Sequence, residues 1–222
     1  MSAMRGSREL RESVLAAARA MNALRVNRGT SGNVSARCRE DGFDGFLVTP
    51  SGLAYDDTSA EDIVAVGLDG TAHGALAPSS EWRFHRDIYA ARADVDAIVH
   101  THATHATALA CLDRGIPPFH YMVAVAGGRD IRCAPYATFG TQALSDLAVA
   151  ALDGRRACLL AHHGMIAVGA TPDRALALAV EVEALAQMYL QALAVAEPAQ
   201  LSDAEMGVVI AKFAHYGSPR RS

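Results

Sequence analysis

Two histidines separated by one threonine lie in an apolar run, and a third histidine closes another apolar run further along the chain. The pair is His100 and His102, and the third is His163. Because alternate side chains of a β-strand share one face, His100 and His102 can converge on one ion. Three histidines with an open fourth position are typical of a catalytic zinc site. The spacing therefore predicts a metalloenzyme, although histidines in β-rich cores can also be hydrogen-bonded structural groups.

Glu81 stands at the head of a predicted helix, shortly before the histidine strand, where the returning chain would bring it beside the metal. A carboxylate there has two possible roles. As a fourth ligand it would close the site, and as a general base it would remove a proton from carbon next to a metal-bound carbonyl. The ordinary pKa of glutamate is about 4.3, so we expect burial to raise it toward about 6–7 for work as a base.

Three loops rich in hydroxyl groups and glycine could hold an anion. They are residues 30–33 (TSGN), 49–52 (TPSG) and 79–80 (SS), and the last pair lies at a predicted helix N-terminus. Backbone N–H groups, hydroxyls and the positive end of a helix dipole all favour a phosphate group. Together with the histidines, the loops predict a phosphate pocket.

Helical spacing and turn residues alternate along the chain and predict the elements that must position these groups. Helices are expected over 8–27, 80–92, 104–112, 141–152, 171–194 and from a capping box at 202–205 to 217. Extended segments are expected over 34–38, 45–49, 63–68, 97–102, 121–126, 131–134, 158–161 and 165–168. This order predicts one α/β domain over 1–222, with a central, mostly antiparallel sheet flanked by helices.

Composition narrows the classes of function. The chain has 222 residues, 51% hydrophobic and 20% charged, with a net charge of −4 and no long run of one sign. Neither nucleic acid nor a membrane is an expected partner, and the apolar stretch 14–21 is too short to span a bilayer. We expect a cytoplasmic protein. Its four cysteines form no CxxC pair, which favours buried, reduced thiols over disulfides or a zinc ribbon.

Longer strings resemble the class II sugar-phosphate aldolases of the aldolase/adducin-head superfamily, and most closely the L-fuculose-1-phosphate aldolases among them. They cover nearly the whole chain and are more specific than a pair of histidines. The strings are 29–35 (GTSGNVS), 49–52 (TPSG), 79–85 (SSEWRFH), 100–102 (HTH), 119–128 (FHYMVAVAGG), 133–141 (CAPYATFGT), 163–164 (HG), 181–190 (EVEALAQMYL) and 212–217 (KFAHYG).

The resemblance implies an α-β-α class II aldolase/adducin-like fold and a zinc ion in each subunit. It also implies a homotetramer with active sites at subunit interfaces. The implied zinc ligands are His100, His102, His163 and Glu81, and Glu81 would move between ligand and base. The implied phosphate-binding residues are Thr30, Asn33, Ser51, Gly52, Ser79 and Ser80. The implied acid, contributed across a subunit boundary, is Tyr121, and the implied lining of the aldehyde side is Phe139 and Tyr216.

The implied reaction is reversible cleavage of a ketose 1-phosphate similar to L-fuculose 1-phosphate. Its products would be dihydroxyacetone phosphate and a short aldehyde such as lactaldehyde, by way of an enediolate that the metal stabilises. A sugar-phosphate dehydratase, a decarboxylase and a pentulose-phosphate 4-epimerase remain alternatives on this scaffold. Glutamate at position 81 favours the aldolase over the epimerases, which carry aspartate there. A non-catalytic adducin-type assembly module would have lost the metal ligands, and all four are present.

Two departures from the family and three further histidines complete the expectations. Residues 37–45 form a longer loop than the family has, and the tail 218–222 is not acidic, so the identity of the aldehyde stays open. His105 is expected at a helix start. His162 is expected on the opposite strand face from His163, packed or hydrogen-bonded. His85, one helical turn from Glu81, either orients that carboxylate or has a solvent-facing or structural role.

Overall fold

Eight strands form one sheet in which all neighbouring pairs except one are antiparallel. The computed structural model describes residues 5–40 and 42–213. The strands are β1 (Asn33–Glu40), β2 (Phe43–Val48), β3 (Val64–Gly67), β4 (Ala72–His73), β5 (Ala97–Thr101), β6 (Arg132–Ala134), β7 (Ala157–Leu160) and β8 (Gly164–Gly169). Their order is β4-β3-β2-β1-β5-β8-β7-β6, and only β6 and β7 run parallel. The mostly antiparallel sheet predicted from the sequence is confirmed.

Helices cover both faces of the sheet and give the expected α-β-α layers. The helices are α1 (Arg8–Ala23), α2 (Trp82–Ala91), α3 (Thr104–Ala110), α4 (Gln142–Ala151), α5 (Pro172–Leu193) and α6 (Asp203–Phe213). One hydrophobic core lies between the sheet and α1, α3 and α5, and the other lies between the sheet and α2 and α4. Alternate residues of β5 illustrate the division, because Val99 faces the first core and Ile98 faces the second.

Capping residues fix the starts of the helices as the sequence predicts. The Thr171 side chain accepts the Arg174 N–H, and Pro172 occupies the first turn of α5. Ser202 and Glu205 form the reciprocal capping box at the start of α6. The predicted end of that helix, at residue 217, lies outside the described residues.

Helix α5 is 22 residues long and apolar enough, by length and composition alone, to cross a membrane. One face of it packs against the sheet, and Leu178, Val182 and Leu185 are among its buried residues. On the neighbouring helix α3, the backbone N–H groups of His105 and Ala106 donate to the Glu183 carboxylate of α5. These contacts make α5 a core helix of this fold.

Residues Tyr121–Ala126 form a 3₁₀ helix, so the extended segment predicted there is wrong. The His120 side chain accepts the Met122 N–H at its start, and Gly127 ends it in the left-handed region with φ of 87°. Two valines and a tyrosine in six residues favour a strand by local propensity. The turn chemistry at both ends overrides that propensity here.

Residues 37–40 and 43–45 belong to strands rather than to the loop expected from the sequence. Strand β1 continues to Glu40, and β2 begins at Phe43, which pairs with Glu40. At its other end β1 begins at Asn33, which pairs with His100. Asn33 and Glu40 are seven residue steps apart along the strand, a distance of about 23 Å. The far end of this departure, where Glu40 pairs with Phe43, therefore lies far from His100, which pairs with Asn33.

The end of helix α1 and the exposure of one cysteine differ from the sequence-based expectations. Helix α1 ends at Ala23 rather than 27, because Arg25 takes a left-handed conformation with φ of 59°. All four cysteines lie in the described part of the chain and are free thiols. Cys38 and Cys158 are buried as expected, whereas Cys111 is exposed just beyond the end of α3.

Candidate metal centre

Four side chains from separate parts of the chain converge at one end of the sheet. His100 lies in β5 and His102 directly follows that strand, while His163 lies in the turn between β7 and β8. Glu81 immediately precedes α2. One ligand atom from each side chain lies within 4.8 Å of those from the other three. Strands β5 and β8 are paired neighbours, which is why histidines 61 to 63 residues apart in sequence meet here.

Donor spacing in this cluster fits a small divalent cation. Nε2 of His100 lies 3.1 Å from Nε2 of His102 and 3.1 Å from Oε2 of Glu81. Nε2 of His163 lies 3.1 Å from Oε1 of Glu81. A tetrahedral zinc ion with bonds of about 2.0–2.1 Å separates its ligand atoms by about 3.4 Å. These three separations lie within a few tenths of an ångström of that spacing, and all four donors lie within 4.8 Å of one another.

Glu81 carries a buried oxygen that the protein leaves unsatisfied. The residue is 4% exposed, and its Oε2 accepts a hydrogen bond of 3.0 Å from Asn33 Nδ2. Among the described residues, its Oε1 has no hydrogen-bond partner. A buried carboxylate oxygen without a donor is destabilising unless a cation or another ligand compensates it. Three imidazole nitrogens and this oxygen suit a divalent transition metal.

The tautomer of His100 follows from its neighbour on β8. Its Nδ1 lies 2.9 Å from the carbonyl oxygen of Met165, which can only accept a hydrogen bond. Nδ1 therefore carries the hydrogen, and in the neutral ring the Nε2 lone pair points into the cluster. A backbone carbonyl that fixes the ring of a metal-ligating histidine is a common second layer of such sites.

Gly164, which follows His163, allows the close approach of the ligand-bearing segments. A Cβ at this position would lie 2.5 Å from the carbonyl oxygen of Thr101 and 3.0 Å from Cδ2 of His102. Real Cβ atoms essentially never come closer than 3.0 Å to other heavy atoms. A side chain here would push β5 and the His102 ring away from the turn.

Protonation of the metal-free cluster is set by burial and by the contact between Glu81 and His100. Burial raises the pKa of Glu81, but His100 and His163 together lower it by more than burial raises it. The net pKa is therefore below the ordinary value of glutamate. The expected rise in this pKa is therefore wrong for the metal-free protein. Burial lowers the pKa of His100, yet the Glu81 carboxylate outweighs it and the pKa is raised. Burial and the charges of His100 and His163 lower the pKa of His102 to about 4.

The three further histidines singled out from the sequence lie outside the cluster. His105 stands in the first turn of α3 with Nδ1 2.8 Å from Oε1 of Glu183, as expected of a helix-start neighbour. His162 is exposed, with φ of 55°, in the turn before β8. The packed position expected for it is wrong because this segment is a turn and not a strand. His85 is buried and lies next to Asn33, which contacts Glu81.

The predicted phosphate loops lie side by side next to the cluster. Thr49 exchanges hydrogen bonds with Val34, and its carbonyl accepts the Ser79 N–H at 3.0 Å. The Ser51 N–H donates to the carbonyl of Ala77 at 3.0 Å, so the second and third loops are joined at two points. Of the candidate phosphate-binding residues, Ser79 and Asn33 are buried, and the exposed ones are Thr30, Ser51, Gly52 and Ser80.

Two aromatic residues expected at the site are exposed on this chain. Tyr121 is 51% exposed and Phe139 is 64% exposed. The carbonyl of Gly140 accepts a hydrogen bond from Arg83 of α2 at 2.8 Å, which places the Phe139 loop against the head of that helix. Tyr216, expected on the aldehyde side, lies outside the described residues.

Sequence reasoning assigned no role to three residues that support the site, although two of them lie within the family strings. One is Gly164. The others are Ser35 and Tyr89, whose hydroxyl oxygens form a hydrogen bond of 2.7 Å behind His85. A signal existed for the last two. Ser35 is two residues after Asn33 on a strand, and Tyr89 is four residues after His85 on a helix, so each pair shares a face.

The fold and the cluster define an α-β-α protein with a centre for a divalent metal. The family model of the class II aldolase and adducin N-terminal domain matches residues 12–190, and the chain belongs to this family.

Similar proteins narrow the class further. The chain is 55% identical to a 5-methylthioribulose-1-phosphate/5-deoxyribulose-1-phosphate aldolase of Rhodospirillum rubrum over 96% of both chains. It is 50% identical to an L-fuculose phosphate aldolase of Escherichia coli K12, over 89% of this chain and 90% of that one. A solved structure of an L-fuculose 1-phosphate aldolase superposes with a TM-score of 0.90 at 39% identity, over 95% of this chain and 98% of that one. The chain is a class II aldolase, a carbon–carbon lyase of a class that uses a divalent metal.

Proposed function

We propose that this enzyme cleaves a ketose 1-phosphate reversibly into dihydroxyacetone phosphate and a short aldehyde, with one zinc ion in each subunit. The observation that carries the proposal is the cluster of Glu81, His100, His102 and His163, whose donor atoms lie within 4.8 Å of one another. Three histidines and one carboxylate oxygen that can leave the metal make room for substrate, as catalytic zinc sites require. When bound, the cation supplies Lewis-acid stabilisation of the negative charge that develops on the substrate oxygens.

The names of the similar enzymes support a substrate whose first three carbons leave as dihydroxyacetone phosphate. Carbons beyond these three form the aldehyde, which is acetaldehyde from 5-deoxyribulose 1-phosphate and its methylthio derivative from 5-methylthioribulose 1-phosphate. L-fuculose 1-phosphate would give lactaldehyde. We favour the 5-deoxypentulose 1-phosphates, because the Rhodospirillum rubrum enzyme is similar to this chain at 55% identity over 96% of it. L-fuculose 1-phosphate is the second candidate, supported by the 50% identity to the Escherichia coli enzyme.

Each proposed residue has a task in proton transfer or binding. In the direction of synthesis, the Glu81 carboxylate takes the proton from the hydroxymethyl carbon of dihydroxyacetone phosphate. That carbon attacks the aldehyde carbon, and the Tyr121 hydroxyl of a neighbouring subunit gives its proton to the aldehyde oxygen. Cleavage reverses these steps. In the metal-free protein Glu81 is ionised because its pKa is lowered.

Binding of the phosphate is proposed for the three joined loops, and binding of the aldehyde for Phe139 and Tyr216. The phosphate would be held by Thr30, Asn33, Ser51, Gly52, Ser79 and Ser80. Thr30, Ser51, Gly52 and Ser80 are exposed and support this assignment, since their hydroxyls and N–H groups remain available to an anion. Asn33 and Ser79 are buried, and the Asn33 amide already contacts Glu81 and His85.

Assembly and location are also proposals. We propose a homotetramer of single-domain chains in the cytoplasm, with active sites at the subunit interfaces. Support comes from Tyr121, which is 51% exposed. A tyrosine exposed in this way can reach the site of another subunit.

The proposed reaction is tested with a panel of ketose 1-phosphates. Metal-loaded enzyme is assayed for release of dihydroxyacetone phosphate from 5-deoxyribulose, 5-methylthioribulose and L-fuculose 1-phosphates, and the aldehydes are identified. We expect the highest kcat/KM with one of the 5-deoxypentulose 1-phosphates. A clear preference for L-fuculose 1-phosphate would select the second candidate. No release from any of them, with metal bound stoichiometrically, would contradict aldol cleavage of these substrates and favour the dehydratase, decarboxylase or epimerase reactions.

A further inference from the structure

A strand face and a helix face meet directly behind Glu81. On α2 and its N-terminal cap, side chains four residues apart share one face, and on β1 side chains two residues apart share one face. Four residues along the helix and two along the strand cover similar distances where α2 packs against β1. Polar side chains of the two elements therefore alternate along one buried line. The helix side contributes Glu81, His85 and Tyr89, and the strand side contributes Asn33, Ser35 and Arg37.

Hydrogen bonds connect these groups without a break. Asn33 Nδ2 lies 3.0 Å from Glu81 Oε2, and Asn33 Oδ1 lies 2.6 Å from His85 Nε2. His85 Nδ1 lies 2.7 Å from Ser35 Oγ. Ser35 Oγ in turn lies 2.7 Å from the Tyr89 hydroxyl. Tyr89 is therefore connected to the carboxylate of Glu81 through three intervening side chains.

The donor and the acceptor of each hydrogen bond in this series follow from the chemistry of the groups. An ionised carboxylate only accepts, so the Asn33 amide must turn its NH₂ group to Glu81 and its oxygen to His85. That oxygen requires a hydrogen on Nε2 of His85, which leaves Nδ1 as an acceptor for the Ser35 hydroxyl. The Ser35 oxygen then accepts from the Tyr89 hydroxyl. Every donor points toward Glu81.

Burial of its members holds this chain of hydrogen bonds in place. The exposed fractions of Ser35, His85, Tyr89 and Asn33 are between 0% and 2%, so water does not compete for their hydrogen bonds. Burial, followed by the charge of His100, lowers the pKa of His85 to about 3, which keeps the ring neutral.

Aromatic rings and one buried guanidinium pack against the end of the hydrogen-bond chain that lies farthest from Glu81. Phe84 stacks on His85 with ring centroids 4.6 Å apart, and Phe46 lies 5.3 Å from the Tyr89 ring. The Arg37 guanidinium lies 4.7 Å from the centre of the Tyr89 ring and donates to the carbonyls of Tyr89 and Arg92. The end of α2 and strand β1 are thereby locked together.

We propose that His85 is a positioning residue that, through Asn33, fixes the orientation of the Glu81 carboxylate. Ser35 and Tyr89 hold His85 in the required tautomer. The inference rests on the proposed function, in which Glu81 transfers a proton. Only Oε2 of Glu81 has a protein hydrogen bond among the described residues, whereas Oε1 has none. One oxygen is thus anchored by Asn33, and the other faces Nε2 of His163 at 3.1 Å, where a cation or a proton can bind between them.

A matched pair of substitutions at His85 separates positioning from folding. In His85→Gln, the side-chain amide reaches the place of Nε2 and can still donate to Asn33. In His85→Asn, the shorter amide reaches only the place of Nδ1, and Asn33 loses its partner. We expect His85→Asn to lower kcat by about 10–100-fold, the usual range for partners behind a metal site, and His85→Gln to recover most of that loss.

KM for the ketose 1-phosphate and the metal content should stay unchanged in both variants. Equal activity of the two variants, or a loss that follows thermal stability rather than the position of the amide, would overturn the proposal. The variant Glu81→Gln is measured alongside. If it retains activity, the proposed function fails; if it is inactive while both His85 variants match the wild type, only the positioning role fails.

A spectroscopic measurement tests the chain without reference to activity. In ¹⁵N-labelled, zinc-loaded protein, two-bond nitrogen–proton correlations report which ring nitrogen of His85 carries the hydrogen. We expect the Nε2–H form in the wild type and a mixture of tautomers in Ser35→Ala, which removes the donor to Nδ1. An Nδ1–H ring in the wild type, or no change in Ser35→Ala, would contradict the direction of the chain.

Discussion

Replacing Gly164 with alanine should disturb the metal centre without touching any ligand. The added Cβ would lie 2.5 Å from the Thr101 carbonyl oxygen, where at least 3.0 Å is required, so β5 and the turn must separate by about 0.5 Å or more. Overpacking of this kind lowers stability by about 1–3 kcal/mol. The same movement displaces His102, whose Cδ2 would lie 3.0 Å from the new atom. We expect metal affinity to fall by about 10–100-fold, as for other disturbances just behind a metal site.

Two measurements on chelator-stripped protein check this prediction. Urea denaturation gives the change in the free energy of unfolding, and titration with zinc against a competing chelator gives the affinity. Gly207→Ala is the matched control, because the residue lies in helix α6 and, among the described residues outside that helix's own backbone, no heavy atom lies within 4 Å of the added Cβ. Alanine there should raise stability by up to about 1 kcal/mol and leave the affinity unchanged. Wild-type affinity and stability in Gly164→Ala would refute the reasoning about close approach.

Three further predictions concern protons. Glu81→Gln should retain one metal ion per chain and slow solvent exchange of the carbon-bound proton of dihydroxyacetone phosphate by about 10²–10⁴-fold; exchange at the wild-type rate would contradict its role as base. Tyr121→Phe should lower kcat while changing stability by less than about 0.5 kcal/mol, because the side chain is 51% exposed, and an unchanged rate would remove it from the mechanism. The pKa of His100 is raised above 6.5, so an incoming ion must displace its proton, and metal affinity should fall about tenfold per pH unit below that raised pKa. Above that pKa the affinity should be constant; a pH-independent affinity across the whole range, followed by calorimetric titration, would show that His100 carries no such proton.

Most of the candidate metal-ligand cluster could be predicted from sequence because its signal is local and physical. The alternation rule places His100 and His102 on one side of a strand, and His163 follows another apolar run that forms a neighbouring strand. Glu81 required more, because its position depends on how α2 packs on the sheet. The family resemblance supplied that information, and the structure confirms that the four groups meet.

Other features could not be predicted, for reasons that differ from residue to residue. The 3₁₀ helix at Tyr121–Ala126 has strand-like composition, and the caps at its ends decide its conformation. His162 was expected on a strand, but the turn that carries His163 also carries it. The contact between Ser35 and His85 joins residues 50 positions apart, and a single amino-acid sequence contains no direct signal for that pairing.

The central claim is that the four-residue cluster binds one divalent ion and that this ion is required for aldol cleavage. Chelator-stripped enzyme titrated with zinc, in the presence of the preferred ketose 1-phosphate, tests it most directly. We predict that release of dihydroxyacetone phosphate rises from zero in proportion to added zinc and levels off at one ion per chain. Release by the metal-free enzyme, or wild-type activity in a His163→Ala variant, would contradict the claim.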